Sequence, residues 1–193
     1  GASSLSSALQ VNTVLTTLGM YSNSIGDAAL ADIKASLAMI KALPVADRGK
    51  VVGSAAAPSV AASEPGGGQG AGGEILTGPV EAATMERHVE WPKLSDNVRN
   101  ALLRLRSNDP SLSSLDLSNK SLGSIGAEFV SAVLRVNTVL TTLKLGGNSI
   151  GAAGASSMSS ALQVNTVLSS LYLHVNSIGA AGASSLSSAL QVN

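Results

Sequence analysis

A chain of 193 residues with 12 basic and 12 acidic side chains carries no net charge, which removes the clustered Lys/Arg footprint on which nucleic-acid binding runs. It contains no cysteine, so disulfide scaffolds and thiolate metal sites are excluded. No apolar run approaches the roughly 18 residues needed to cross a bilayer, and no signal peptide is visible.

The chain opens with GASSLSSALQVN, and the same twelve letters recur unchanged at 182–193. Leu15, Leu18, Met20, Asn23 and Ile25 follow. Residues 27–42, DAALADIKASLAMIKA, predict a helix with Ile33, Leu37 and Met39 or Ile40 facing a core, ended by Pro44. From 44 to 85 the sequence is rich in Ala, Gly, Ser, Pro and Val, with GGGQGAGG at 66–73. It lacks periodicity and reads as a flexible linker. After Trp91-Pro92 a helix is predicted from about Ser95 to Ser107, with Leu94, Val98, Ala101, Leu102 and Leu105 on its apolar face. A short amphipathic helix there serves as an N-terminal cap over Leu115 and Leu117, and Trp91 is expected to pack on it.

The remainder repeats itself. Leu112, Leu115, Leu117, Lys120 and Leu122 are followed by Leu140, Leu143, Leu145, Asn148 and Ile150, and then by Leu168, Leu171, Leu173, Asn176 and Ile178, 28 positions apart each time. Leu143-Lys144-Leu145 alternates as a strand does, whereas Ala155, Met158, Ala161 and Leu162 are spaced as one face of a helix. Gly154, with Gly126 and Gly182 at the matching places, is expected to let that helix lie close to the strand. Ser156, Ser157, Ser159 and Ser160 are expected to cover its outer face. The amides of Asn148 and Asn176 suit a ladder that bonds the backbone of the turn after each strand. Lys120 stands at that position in the first of the three units, with Asn119 one place early, and no ladder bond is expected from it. One unit buries too little apolar surface to offset the ordering of its own backbone, so the units must stack.

The pattern L-x-x-L-x-L-x-x-N-x-L, followed by a Gly/Ala/Ser-rich stretch, resembles the leucine-rich repeat. More narrowly it is similar to the cysteine-free, ribonuclease-inhibitor-like form found in the repeat domains of NOD-like receptors. The resemblance covers about 1–42 and 109–193. It implies an α/β leucine-rich-repeat solenoid, a horseshoe of 28-residue repeats with parallel strands on the concave face and helices on the convex face. It also implies protein binding on the concave face. On this reading 1–43 ends a first array, 44–85 is the linker, and 86–193 holds the cap helix and three repeats, the whole being a fragment of a longer protein. The alternative is one continuous solenoid with a long loop at 44–92. The two differ in whether residues 1–42 pack against the 94–106 helix.

Chemistry is sparse. Gly147-Asn148-Ser149-Ile150-Gly151 matches the G-x-S-x-G of a nucleophile elbow. Ser22 and Val175 replace its first glycine in sister units, and no Asp or Glu follows Glu128, so the match is incidental. The glycine run lacks the G-K-[ST] ending of a phosphate loop. His88 and His174 lie in different segments, and no metal or cofactor is expected. Arg99, Arg104 and Arg106 are interspersed with Glu86, Glu90, Asp96 and Asp109, a solvated face.

The outward strand positions remain. Asp116, Lys144 and Tyr172 form one column, Ser118, Gly146 and His174 the next, and Ser114, Thr142 and Ser170 flank them. Asp116, Lys144, Tyr172, His174, Ser118 and Thr142 are therefore the candidate partner-binding residues. The reading is a non-enzymatic, cytoplasmic (intracellular) interaction module that holds a protein partner on its concave face, without cofactor, nucleic acid or membrane. Two competitors stand beside it. One is a structural spacer or assembly segment that self-associates through open repeat ends. The other is a repeat fragment of a NOD-like receptor or regulatory enzyme.

Overall fold

Each leucine alternation becomes a three-residue strand, and each Gly/Ala/Ser stretch becomes a helix. The computed structural model describes residues 14–26 and 80–190, together with Ala31, Lys34, Ala35 and Ala38, which are helical and exposed. The expected core positions Ile33, Leu37, Met39 and Ile40, most of the predicted linker, and residues 1–12 lie outside the described residues. In chain order the elements are β1 (Thr17–Gly19), α1 (Asp96–Arg106), β2 (Ser114–Asp116), α2 (Gly123–Leu134), β3 (Thr142–Lys144), α3 (Gly151–Leu162), β4 (Ser170–Tyr172) and α4 (Gly179–Leu190). Single 3₁₀ turns at Met85–Arg87 and Trp91–Lys93 precede α1.

All four strands are parallel and form one open sheet in the order β1-β4-β3-β2. Leu115 pairs with Leu143, and Leu143 with Leu171, so partners are 28 positions apart in sequence. Leu18 then pairs with Leu171 from the other side. The first strand of the chain thus takes the edge opposite β2, beyond β4. Leu117, Leu145, Leu173 and Met20 follow the four strands and are buried with the helix residues Ala155, Met158, Ala161 and Leu162. The helices stack in sequence, α1 on α2, α2 on α3, and α3 on α4.

That stacking explains the glycines differently from the sequence expectation. A Cβ on Gly154 would come within 2.9 Å of Ala127 Cβ and 3.3 Å of Ser124 Cα, both on α2, as well as 2.5 Å from Ile150 Cγ2. Gly182 meets Ala155, Ala152 and Ile178 in the same way. The missing side chains bring helix against helix, rather than helix against strand. The outer-face expectation also changes. Ser159 is buried, as are its counterparts Ser131 and Ser187. Ser159 and Ser131 donate to the carbonyls of Ala155 and Ala127, at 2.9 and 2.7 Å. A hydroxyl that bonds its own preceding turn can enter a helix interface without leaving an orphaned polar atom.

Two asparagine ladders hold the turns. Asn148 is fully buried. Its Nδ2 donates to the carbonyls of Leu145 and Leu117, and its Oδ1 accepts from the Lys120 N–H. Asn176 does the same for Leu173, Leu145 and the Asn148 N–H. Each amide therefore serves the unit before its own, and the Lys120 backbone is satisfied by Asn148. A second ladder runs through Asn137 and Asn165. Asn137 Nδ2 donates to the Leu105 carbonyl near the end of α1, and Asn165 Nδ2 to Leu134 at the end of α2. Their Oδ1 atoms accept from the N–H groups of Leu140 and Leu168, which start the next units.

At the β2 end, Trp91 is buried and its ring meets Phe129 of α2 edge-on, with His88 against the same ring. Val98, Leu102 and Leu105 of α1 are buried as the spacing predicts, and so are Val80 and Met85 ahead of it. The Val80 N–H donates to Glu128 of α2 at 2.9 Å.

Candidate functional site

Helices cover one face of the sheet, and the other carries the outward strand residues. Strand pairing places Asp116 beside Lys144, Lys144 beside Tyr172, and Tyr172 beside Gly19. Ser114, Thr142, Ser170 and Thr17 form the flanking row in the same way. Of the sequence candidates, Asp116, Lys144, Tyr172 and Thr142 thus share one contiguous row-and-column patch, with Ser118 and His174 just beyond the strand ends.

Two glycines shape this face. At Gly146 a Cβ would lie 2.0 Å from His174 Nε2, so the imidazole occupies the space a side chain would need. At Gly19 a Cβ would lie 3.1 Å from Tyr172 Cδ1. Each ring leans across the sheet toward a neighbouring glycine. Tyr21 adds a third ring, stacked on His174 with centroids 4.6 Å apart and planes within 4°. Among the described residues His174 Nδ1 is buried without a hydrogen-bond partner, and its ring is stacked on Tyr21. Tyr21 itself is half exposed, at 50%.

Tyr21 was not among the sequence candidates. Its signal was present. The identity of 1–12 with 182–193 shifts the N-terminal numbering by 181, and on that shift Tyr21 is the next member of the Ser118, Gly146, His174 column.

The charged end of the patch is loosely tied. Lys144 Nζ stands 3.6 Å from Asp116 Oδ2 with both side chains about half exposed, a pair worth under about 1 kcal/mol. The Asp116 carboxyl is held below its ordinary value, chiefly by the Ser118 N–H that donates to Oδ1 at 2.9 Å and by the Ser118 hydroxyl, with Lys144 adding a smaller pull. Ser118 therefore positions Asp116 from its own strand end.

Among the described residues no helix is long and apolar enough to cross a membrane. Searches of curated proteins and of solved structures each returned no match. Residues 136–159 match the family model described as Leucine Rich repeat, a span that runs from just after α2 through β3 into α3. Set within parallel strands and helices that alternate in one open sheet, that match supports a leucine-rich repeat protein.

Proposed function

We propose that the chain is a non-enzymatic protein-interaction module of the ribonuclease-inhibitor-like type, and that its open strand face is the concave surface that takes a protein partner. Leucine-rich repeats commonly mediate protein–protein interaction and are typically non-enzymatic. One observation carries the reading furthest, the row of partly exposed rings Tyr172, His174 and Tyr21 beside Lys144 and Asp116. Rigid aromatic side chains give contact area at little entropic cost and are favoured anchors of interfaces. The surrounding positions are Ser, Thr and Gly, so the rings and the single Lys–Asp pair are where specificity resides. Thr142 and Ser118 line the approach. The expected linker, 44–85, is in this reading not part of the surface, and at its end Val80 and Met85 pack into the core.

The test compares two full-length baits, the natural chain and a Tyr172→Ala/Lys144→Glu variant, in affinity capture from the source lysate, with circular dichroism showing both folded. The expected result is a protein held by the first and lost by the second. Identical captures would reject the strand-face assignment and favour a spacer that binds nothing there.

A further inference from the structure

The first strand of this chain is attached to the rest of the molecule at a place far from its covalent neighbours. Among the described residues, the segment 14–26 bonds across the sheet to the stretch Ser169–Gly179. Thr16 and Thr17 N–H donate to the Ser169 carbonyl at 2.8 and 3.0 Å. Leu173, Val175 and Gly179 N–H donate to the carbonyls of Gly19, Tyr21 and Asn23 at 2.7, 3.0 and 2.9 Å. Asn23 is buried, donates to the Leu173 carbonyl at 2.8 Å and accepts from the Asn176 N–H at 2.9 Å. Leu15, Leu18 and Met20 are buried there as well.

This is the same set of contacts that β4 makes with β3 one unit earlier. There, Leu145 and Gly147 N–H donate to Tyr172 and His174, and Asn176 bonds Leu145 and Asn148. Repeat register gives the reason. The twelve letters before Thr13 are the twelve letters of 182–193, so β1 is the strand that should follow α4. A contact specified by the repeat pattern carries nothing that marks the segment as belonging to the same chain. Every copy presents the same β4 edge and the same β1 segment, and 53 residues separate Gly26 from Val80.

We propose that residues 14–26 exchange between copies of this chain, the β1 segment of one molecule docking on β4 of a second. The exchanged segment brings Tyr21 with it, so in the exchanged form the ring row on the strand face is built from two chains. Because the donor and acceptor surfaces differ, the contact is heterologous. It closes as a reciprocal dimer or continues as an open chain. A connection of this length holds its own β1 at an effective concentration on the order of 1 mM. The self-docked form therefore dominates at micromolar concentration, and exchange competes as the protein approaches millimolar.

The absence of cysteine allows a direct test. Thr17 and Ser170 are register partners, and neighbouring strands lie ~4.8 Å apart, within disulfide range. Full-length chains carrying Thr17→Cys alone and Ser170→Cys alone, with one tagged for size, are unfolded, mixed, refolded and oxidised at roughly 10 µM, far below the effective concentration, and at roughly 1 mM, comparable with it. A disulfide between the two kinds of chain can form only across molecules. The expected result is a mixed disulfide that rises at least tenfold in yield at the higher concentration and exceeds both like-with-like products, those joining two copies of the same variant. A double variant, Thr17→Cys/Ser170→Cys, should close its bond within one chain at the lower concentration. Three results overturn the proposal: closure of the double variant with no mixed disulfide at either concentration, mixed and like-with-like products in equal yield, or a double variant that does not close.

Discussion

Val175 sits with φ at 55°, in the left-handed region that a β-branched side chain occupies only under strain. The sister positions are Gly147, Ser22 and Asn119, each also at positive φ. The turn demands this conformation, and valine is the residue least suited to it. Its side chain is half exposed, at 51%, so little burial offsets the strain. Val175→Gly is expected to raise stability by about 1 kcal/mol, read as a higher urea midpoint with unchanged slope. A lower midpoint would show that the isopropyl group supports the neighbouring His174. The asparagines show how far a single residue can be read in advance. Asn148 and Asn176 were legible because they follow the strand leucines at fixed spacing and the turn there plainly lacks partners. Asn137 and Asn165 were not, because Arg-Val-Asn and Gln-Val-Asn read as ordinary loops. Their partners, the ends of α1 and α2, come into reach only once the units are stacked. Lys120 could be recognised as a ladder defect, but not as a harmless one, since the ladder runs backward from Asn148.

The helices are poor by intrinsic preference. Serine is a mediocre helix former, and α3 and α4 hold four serines each within twelve residues. They are held by close approach to one another, which the glycines permit. Gly154→Ala tests that claim because two effects oppose. Alanine favours the helix by about 1 kcal/mol. Against it, the new methyl meets Ala127 Cβ and the Ser124 backbone at 2.9 and 3.3 Å, and backbone cannot give way as a side-chain tip can. Overpacking of this kind costs about 1–3 kcal/mol. The net expectation is a loss of about 1 kcal/mol or more, measured by urea unfolding. A gain would mean that α2 and α3 are free to separate. Helix positions and faces were legible, since the spacing of Ala155, Met158, Ala161 and Leu162 is local. The direction of closest approach was not. Small residues announce proximity without naming the neighbour, and the burial of Ser159 depends on that neighbour being another helix.

At the scale of the whole molecule, the placement of β1 is the feature that sequence spacing alone left open. Leu18 and Asn23 were recognisable as members of a repeat, but their spacing from the other units did not say which edge of the sheet their strand would join. The strand lies at the sheet edge opposite β2. The face column that ends in Tyr21 was incomplete without it. Undocking of this one segment should leave the rest of the sheet intact. The amides of Leu173, Val175 and Gly179, which donate to Gly19, Tyr21 and Asn23, are therefore expected to exchange with solvent faster than those of Leu145, Gly147 and Gly151, which donate to β4 and its turn. Native-state hydrogen exchange read by NMR checks this, and equal protection in the two sets would show that β1 opens only with the whole fold. The same pairing orders events during synthesis. Thr16 bonds a residue 153 positions later, so the β1 segment must wait for β4 to be made before it finds its place. Until then β1 and, later, the β4 edge are both bare, and closing so distant a contact is slow. A nascent chain on a crowded polysome is therefore exposed to its neighbours' edges until β4 emerges, and slowing elongation between the codons of β1 and β4 would lengthen that exposure.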